Sequence, residues 1–211
     1  MTLQKISSDS EIIKKYVSET KSESFSIVEK SNFNYFALVS DSRVDIQFQT
    51  EWDEIKWNVF VVCFWKWNVS SNVKTFINNS NTKINVFILS FLQDNNEINV
   101  DWDIIMWKWT TNAQWHLLEK NVIIWKKIKT KVSPRLDVYS QNTQSTHGVS
   151  IDKIDPEKKF YLQSRGLDSK ETMELSIHGY IQYILDHFVH TTEQEKKDIE
   201  NLILSSIQIN D

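Results

Sequence analysis

Up to about residue 139 the apolar side chains recur at every second position; beyond Gly148 they recur at spacings of three and four. Two periods fix two kinds of element, because a strand alternates faces at each residue while a helix returns to a face every 3.6 residues. Alternation marks residues 25–28, 33–39, 44–48, 84–91, 122–128 and 136–139 as extended. Its longest run places Trp57, Val59, Val61, Cys63, Trp65, Trp67 and Val69 on one side and predicts a single long strand. The triplets Trp65-Lys-Trp67 and Trp107-Lys-Trp109 repeat one pattern, with residues 84–91 about midway between them. Strands thus recur roughly every 15 to 20 residues, a period that suits the rung of a stacked β-solenoid. A β-sandwich with long hairpins would space its strands similarly.

All three glycines and both prolines fall between Lys131 and Phe188, and the first 133 residues contain neither type. Asparagine is expected to take the left-handed turn positions instead, at Asn32, Asn34, Asn72, Asn78, Asn79, Asn81, Asn95, Asn96 and Asn112. Near the start, Ile12, Ile13, Tyr16 and Val17 predict a short helix over residues 8–20 behind Asp9 or Ser10 as cap. Asp155-Pro156 reads as the N-cap and first residue of a helix that ends near Arg165, with Gly166 at a left-handed exit. Asp168 with Glu171 forms a capping box, followed by an apolar stripe of Met173, Ile177, Ile181, Ile184 and Phe188. Thr192 with Glu195 caps a third helix, whose Ile199, Leu202, Ile203 and Ile207 face inward or toward a partner. The resulting division is an N-terminal segment (1–24), a β core (25–150) and a helical module (151–211) that need not share that core.

A hydrophobic content of 40% and a charged content of 25% are those of an ordinary folded protein. The net charge of −4 gives no ground for a nucleic-acid partner. The longest apolar run, residues 59–65, is far short of the roughly 20 residues of a membrane helix, so no membrane association is expected. The first ten residues show no apolar signal segment. A single cysteine, Cys63, supplies neither a disulfide nor a thiolate set, and a cytoplasmic or equivalent reducing compartment follows.

Few residues offer chemistry. Cys63, set among Val62, Phe64 and Trp65, reads as an inert core thiol. His187 and His190 stand three apart at a helix end, where the dipole alone favours a cation. Lys127, Lys129 and Lys131 alternate along one strand, as residues guarding a sheet edge do; steering of an acidic partner is the other reading. The tryptophans would fill a core, or line a surface that stacks on sugar rings, although no paired acidic signature of a glycosidase accompanies them. Taken from the residues alone, His147-Gly148 is a turn with a solvated ring, in a polar loop just past the last strand.

Pro134-Arg-Leu-Asp-Val-Tyr139, His147-Gly148, Ile154-Asp155 and Phe160-Tyr-Leu-Gln-Ser-Arg-Gly166, in that order, resemble the C-terminal part of the SufB/SufD family of iron–sulfur cluster assembly scaffolds. Gly148 after the histidine and Ser164 before Arg165-Gly166 are closer to the SufD branch. The resemblance implies a mainly β protein, a right-handed parallel β-helix followed by a small helical module. It implies a non-catalytic subunit that pairs with a SufB-type subunit and docks a SufC-type ABC ATPase. His147 would then serve the cluster-assembly interface as a metal-site residue shared with the partner, with Gly148 at positive φ bringing the ring forward. Phe160, Tyr161, Arg165 and Gly166 would shape the ATPase docking surface. No cofactor is expected on the chain alone, only a transient iron–sulfur cluster at the partner interface. Ser145 stands where the family often has a cysteine, so a thiolate would have to come from the partner. Family members are usually much longer, which on this reading leaves an N-terminal domain and several rungs missing. A carbohydrate-binding solenoid and a purely structural SufD-like subunit are the alternatives.

Overall fold

A strand with one apolar face needs a second apolar layer, and this chain provides it by coiling on itself. The structure is a computed structural model that describes residues 3–64, 68–92, 97–124, 129–186 and 191–206. Its strands are β1 (Leu3–Ile6), β2 (Ser10–Val17), β3 (Thr20–Ile27), β4 (Asn32–Ser40), β5 (Arg43–Thr50) and β6 (Lys56–Phe64), then β7 (Asn68–Ile77), β8 (Lys83–Leu92), β9 (Glu97–Met106), β10 (Ala113–Ile123), β11 (Lys129–Val138) and β12 (Thr143–Lys153). Odd strands form one six-stranded sheet and even strands another. Every pairing is parallel, so each circuit of the chain lays one strand on each sheet: a β-solenoid.

Register turns the rungs into columns of like residues. Tyr35, Val59, Val86 and Leu117 stand in one column, each buried, between the two sheets. Phe48 is a hub of this interior, with ring centroids 4.9 Å from Trp57, 5.2 Å from Tyr35 and 5.3 Å from Phe25. The hydroxyls of Tyr16 and Tyr35 bond each other at 3.0 Å, and burial pushes both phenols well above their ordinary acidity range. On the outer face of the even sheet, Asn58 Nδ2 donates to Asn34 Oδ1 and Asn85 Nδ2 to Asn58 Oδ1, both at 2.9 Å. Partners along this face lie 23 residues apart between Glu11 and Asn34 and 27 apart between Asn58 and Asn85, so the rungs lengthen along the chain.

The rung therefore comprises two strands, and the expected one-strand repeat is corrected. The predicted single strand over residues 57–69 is β6 plus β7, which belong to different sheets, and Trp65 and Trp67 lie outside the described residues. Alternation continues in phase round the corner, since Val61 and Val69 are both buried, and this hides the break. Of the run at 122–128, Val122 and Ile123 end β10, and residues 125–128 lie outside the described residues. The helix expected over residues 8–20 is strand β2, paired in parallel with β4. A spacing of four is even, so Ile12 and Tyr16 share a face in either conformation, and pairing with β4 decides for the strand.

Among the described residues the left-handed non-glycine positions are Ser18, Asp41, Glu54, Asn81 and Asn112, so asparagine takes only part of that role. These are corner residues held from rung to rung. Glu54, Asn81 and Asn112 donate their backbone N–H to Ser80, Thr111 and Asn142 at 3.1, 3.0 and 2.7 Å. Those bonds offset a left-handed cost of about 1–2 kcal/mol per residue.

The helices are α1 (Pro156–Ser164), α2 (Ser169–Leu185) and α3 (Glu193–Ser206). Asp155 caps α1, Gly166 follows it at φ 96°, and Asp168 with Glu171 forms the expected capping box. At α3, Thr192 and Glu195 bond reciprocally, and these bonds draw the Glu195 carboxyl below its usual range. Ile177, Ile181, Ile184, Ile199 and Ile203 are buried against Phe36, Phe60, Phe87, Leu89 and Phe91 on the outer face of the even sheet. The module has its own core there, apart from the solenoid interior. Phe188 and Ile207 lie outside the described residues.

Replacing Phe48 by Ala empties the hub of the aromatic interior. Urea titration followed by far-ultraviolet circular dichroism is expected to show a loss of about 3–5 kcal/mol with an unchanged m-value.

Candidate functional site

Among the described residues no further rung is stacked on the last circuit, β11 and β12. Each is the terminal strand of its sheet, so each carries one row of unpaired backbone groups. His147 lies within β12, paired in register with Leu117, and not in a loop beyond the final strand. Gly148 does not adopt positive φ, and a Cβ there would meet Leu118 at an ordinary 3.7 Å, so the expected conformational role of this glycine is corrected. Register places His147 at the exposed end of the buried column of Tyr35, Val59, Val86 and Leu117. The imidazole occupies a core position at which the core ends. No hydrogen bond engages its ring among the described residues.

The same inward row of β12 carries Ser145, Val149 and Ile151. Val149 and Ile151 are 43% and 50% exposed, and Val138 and Tyr139 at the end of β11 are exposed as well. Beneath Val149 and Ile151 stand Glu119 and Asn121 of β10, two polar residues in interior positions. Asn121 Nδ2 donates to Glu119 Oε1 and to the Ser150 carbonyl, each at 3.3 Å. Asn121 Oδ1 and Ser90 Oγ, in adjacent rungs of one column, are buried without a partner. Burial pushes the Glu119 carboxyl up to about 7; the Asn121 hydrogen bond opposes this, and the charge of Asp101 adds to it. Sequence reasoning missed this pair, although the phase of Ala113, Trp115 and Leu117 carries forward to both residues.

Outside this row, His116 Nδ1 bonds Thr146 Oγ1, extending the outer polar line of Asn34, Asn58 and Asn85 to the last rung. Lys131 and Pro134 lie on the edge strand β11, which fits the edge-guarding reading of the basic line. Tyr139 directs its N–H to Met106 of β9, so alternation turns the missing N–H of Pro134 to the free edge. Lys127, the side chains of Lys129 and Cys63, and both His187 and His190 lie outside the described residues. Trp57, Trp102 and Trp115 are buried, whereas Trp52, Trp107 and Trp109 are exposed.

The other expected site residues lie on α1 and just past its end, shortly after β12 in the chain. No residue of α1 is buried. Phe160 is 74% exposed and Tyr161 56%, and the Arg165 guanidinium lies 5.2 Å from the centre of the Tyr161 ring. Gly166 closes this surface at the helix exit.

Residues 1–180 match the family model described as SUF system FeS cluster assembly, SufBD core domain. The chain belongs to the SufBD family. Over 76 residues, 36% of the chain, it is 33% identical to an iron–sulfur cluster assembly SufBD family protein of Synechocystis. Over 64 residues, 30% of the chain, it is 27% identical to the iron–sulfur cluster assembly protein SufD of Escherichia coli. The matched segments span 16% and 15% of those two relatives. The solenoid is thus that of a SufBD core domain. Among the described residues no helix is long and apolar enough to cross a membrane. Nor does any group of three or more histidine, cysteine, aspartate and glutamate side chains among them stand ready to hold a metal ion.

The Glu119 carboxyl binds its proton more tightly folded, near pH 7, than at its ordinary 4.5. Its contribution to stability is thus full below about pH 4.5 and is lost as pH rises through 7, by roughly 3 kcal/mol. Glu119→Gln is expected to flatten this fall and to raise the urea midpoint at pH 8 above that of the native chain.

Proposed function

We propose that this SufBD protein is a SufD-like, non-catalytic scaffold subunit of an ATP-driven iron–sulfur cluster assembly complex. The observation that carries the reading is the uncapped last rung, where His147 ends a core column between two free strand edges. An exposed row containing Val149 and Ile151 together with unpaired backbone is a surface that a second chain can extend by strand addition. In this reading the second chain is a SufB-type subunit. His147 offers one borderline nitrogen ligand or proton carrier to a cluster assembled there as cargo, and the thiolate comes from the partner. Gly148 and Ser164, at their places in the two motifs, favour the SufD branch.

The helical module would dock a SufC-type ABC ATPase through Phe160 and Tyr161. These exposed rings, with Arg165 over one of them, suit the aromatic and arginine anchors of protein interfaces. Nucleotide-driven movement of the ATPase would reach the open rung through α2 and α3, which are packed on the even sheet.

In the assembled complex, His147→Ala is expected to lower the rate of cluster formation roughly tenfold or more, with assembly unchanged by size-exclusion chromatography. Undiminished cluster formation would leave only a structural subunit. Val149→Asp with Ile151→Asp is expected to weaken pairing with the SufB-type subunit roughly 100-fold. Phe160→Ala with Tyr161→Ala should cost the ATPase interaction at least about 2 kcal/mol, measured by calorimetry with nucleotide present.

One observation favours a sugar-binding surface as a second reading. The exposed rings of Trp107 and Trp109 are parallel within 5° at 5.7 Å, with Tyr139 alongside. The two rings are, however, stacked on each other. Glycan-array binding by the chain alone would favour that reading.

A further inference from the structure

At the junction between the solenoid and the helices lies an open cavity of about 770 Å³, and one of its lining residues, Tyr161, also belongs to the proposed docking surface. This lies within the roughly 300–1,000 Å³ of small-ligand sites. It is bounded by the outer face of β10, the segment leaving β12, and the facing sides of α1 and α2. No residue of α1 is buried, so this helix stands off the sheet as a wall of the cavity and does not fill it.

The lining divides by chemistry. Lys120, Lys153 and Lys158 line the cavity, and so do Asp152 and Asp155. Asp155 is already engaged, its carboxylate accepting the Glu157 N–H at 2.9 Å as the cap of α1. The Lys120 ammonium sits 4.6 Å from the centre of the Tyr180 ring, which sets a cation beside an aromatic face inside the cavity. Such a pair presents charge and a flat apolar surface to one ligand. Leu175 continues the apolar side.

A third feature is Gly179, on the cavity-lining side of α2. Glycine inside a helix costs about 1 kcal/mol relative to alanine. Here a Cβ would meet nothing within 4 Å, and φ is not positive, so neither packing nor backbone geometry asks for glycine. Gly179 lines the cavity, and a larger side chain here would add bulk to that wall.

We propose that this cavity binds a small organic anion with a flat apolar body, its acidic group held by Lys120, Lys153 and Lys158 and its body set against Tyr180 and Leu175. The site belongs to the chain alone. It needs neither the SufB-type subunit nor the ATPase, and its success or failure is separate from theirs.

The probe is 1-anilinonaphthalene-8-sulfonate, an aromatic monoanion, titrated into the purified full chain and followed by fluorescence. One saturable site with a Kd of about 10–100 μM is expected. Gly179→Leu fills the cavity and raises helix propensity, and it should weaken binding at least tenfold. Lys153→Met with Lys158→Met should do the same, which keeps the test decisive if the leucine variant fails to fold. Val149→Asp with Ile151→Asp, at the open rung, should leave binding unchanged. Native-like binding by both cavity variants would overturn the proposal, as would loss of binding in the open-rung variant. Displacement of the dye by inorganic phosphate as effectively as by an aromatic carboxylate such as 2-naphthoate would also overturn it, since charge alone would then suffice.

Discussion

In-register parallel pairing is the constraint on which the rest of this molecule depends. Once β4, β6, β8 and β10 lie in one register, every column is determined, and a slip by one residue would turn each apolar row outward. The sequence guards against that slip on both faces. Inside, bulky rings such as Phe25, Phe33, Phe48 and Trp57 interlock. Outside, Asn34, Asn58 and Asn85 bond only if their rungs are aligned.

A stack held by backbone pairing must end, and its last strand offers half its backbone groups to whatever lies beyond. Solenoids commonly close such an end with a polar or helical cap. Here the helices go to the outer side of the even sheet, where Ile177, Ile181 and Ile203 cover Phe36, Phe60 and Phe87, and the end stays open. The cost of an open end is borne by residues such as Val149 and Ile151, which would be core residues if one more rung existed. His147 stands within that surface, which under the proposed function would meet a partner.

The polar pair just under this end departs from the apolar logic of the interior. Glu119 and Asn121 bond each other and the backbone of β12, but leave Asn121 Oδ1 unsatisfied. Unpaired buried polar groups are expensive in a dry interior. Their position one rung below the open row places that cost next to the exposed end of the stack.

The caps of the three C-terminal helices were legible in the chain. Asp155-Pro156, the Asp168 and Glu171 box, Thr192 with Glu195, and the exit at Gly166 each depend on a few neighbouring residues, and each formed as read. The β-solenoid class and the family were legible too, from alternation and from an ordered set of motifs. What the residues could not decide was anything set by a neighbour a circuit away. The corner between β6 and β7, the strand at β2 and the strand around His147 all depend on pairing partners 23 to 31 residues distant. A two-residue period says which face a side chain takes, but not where the strand turns or what is stacked on it. Only the tertiary structure showed that His147 ends a core column and that α1 stands over a cavity, because both follow from where the stacking stops.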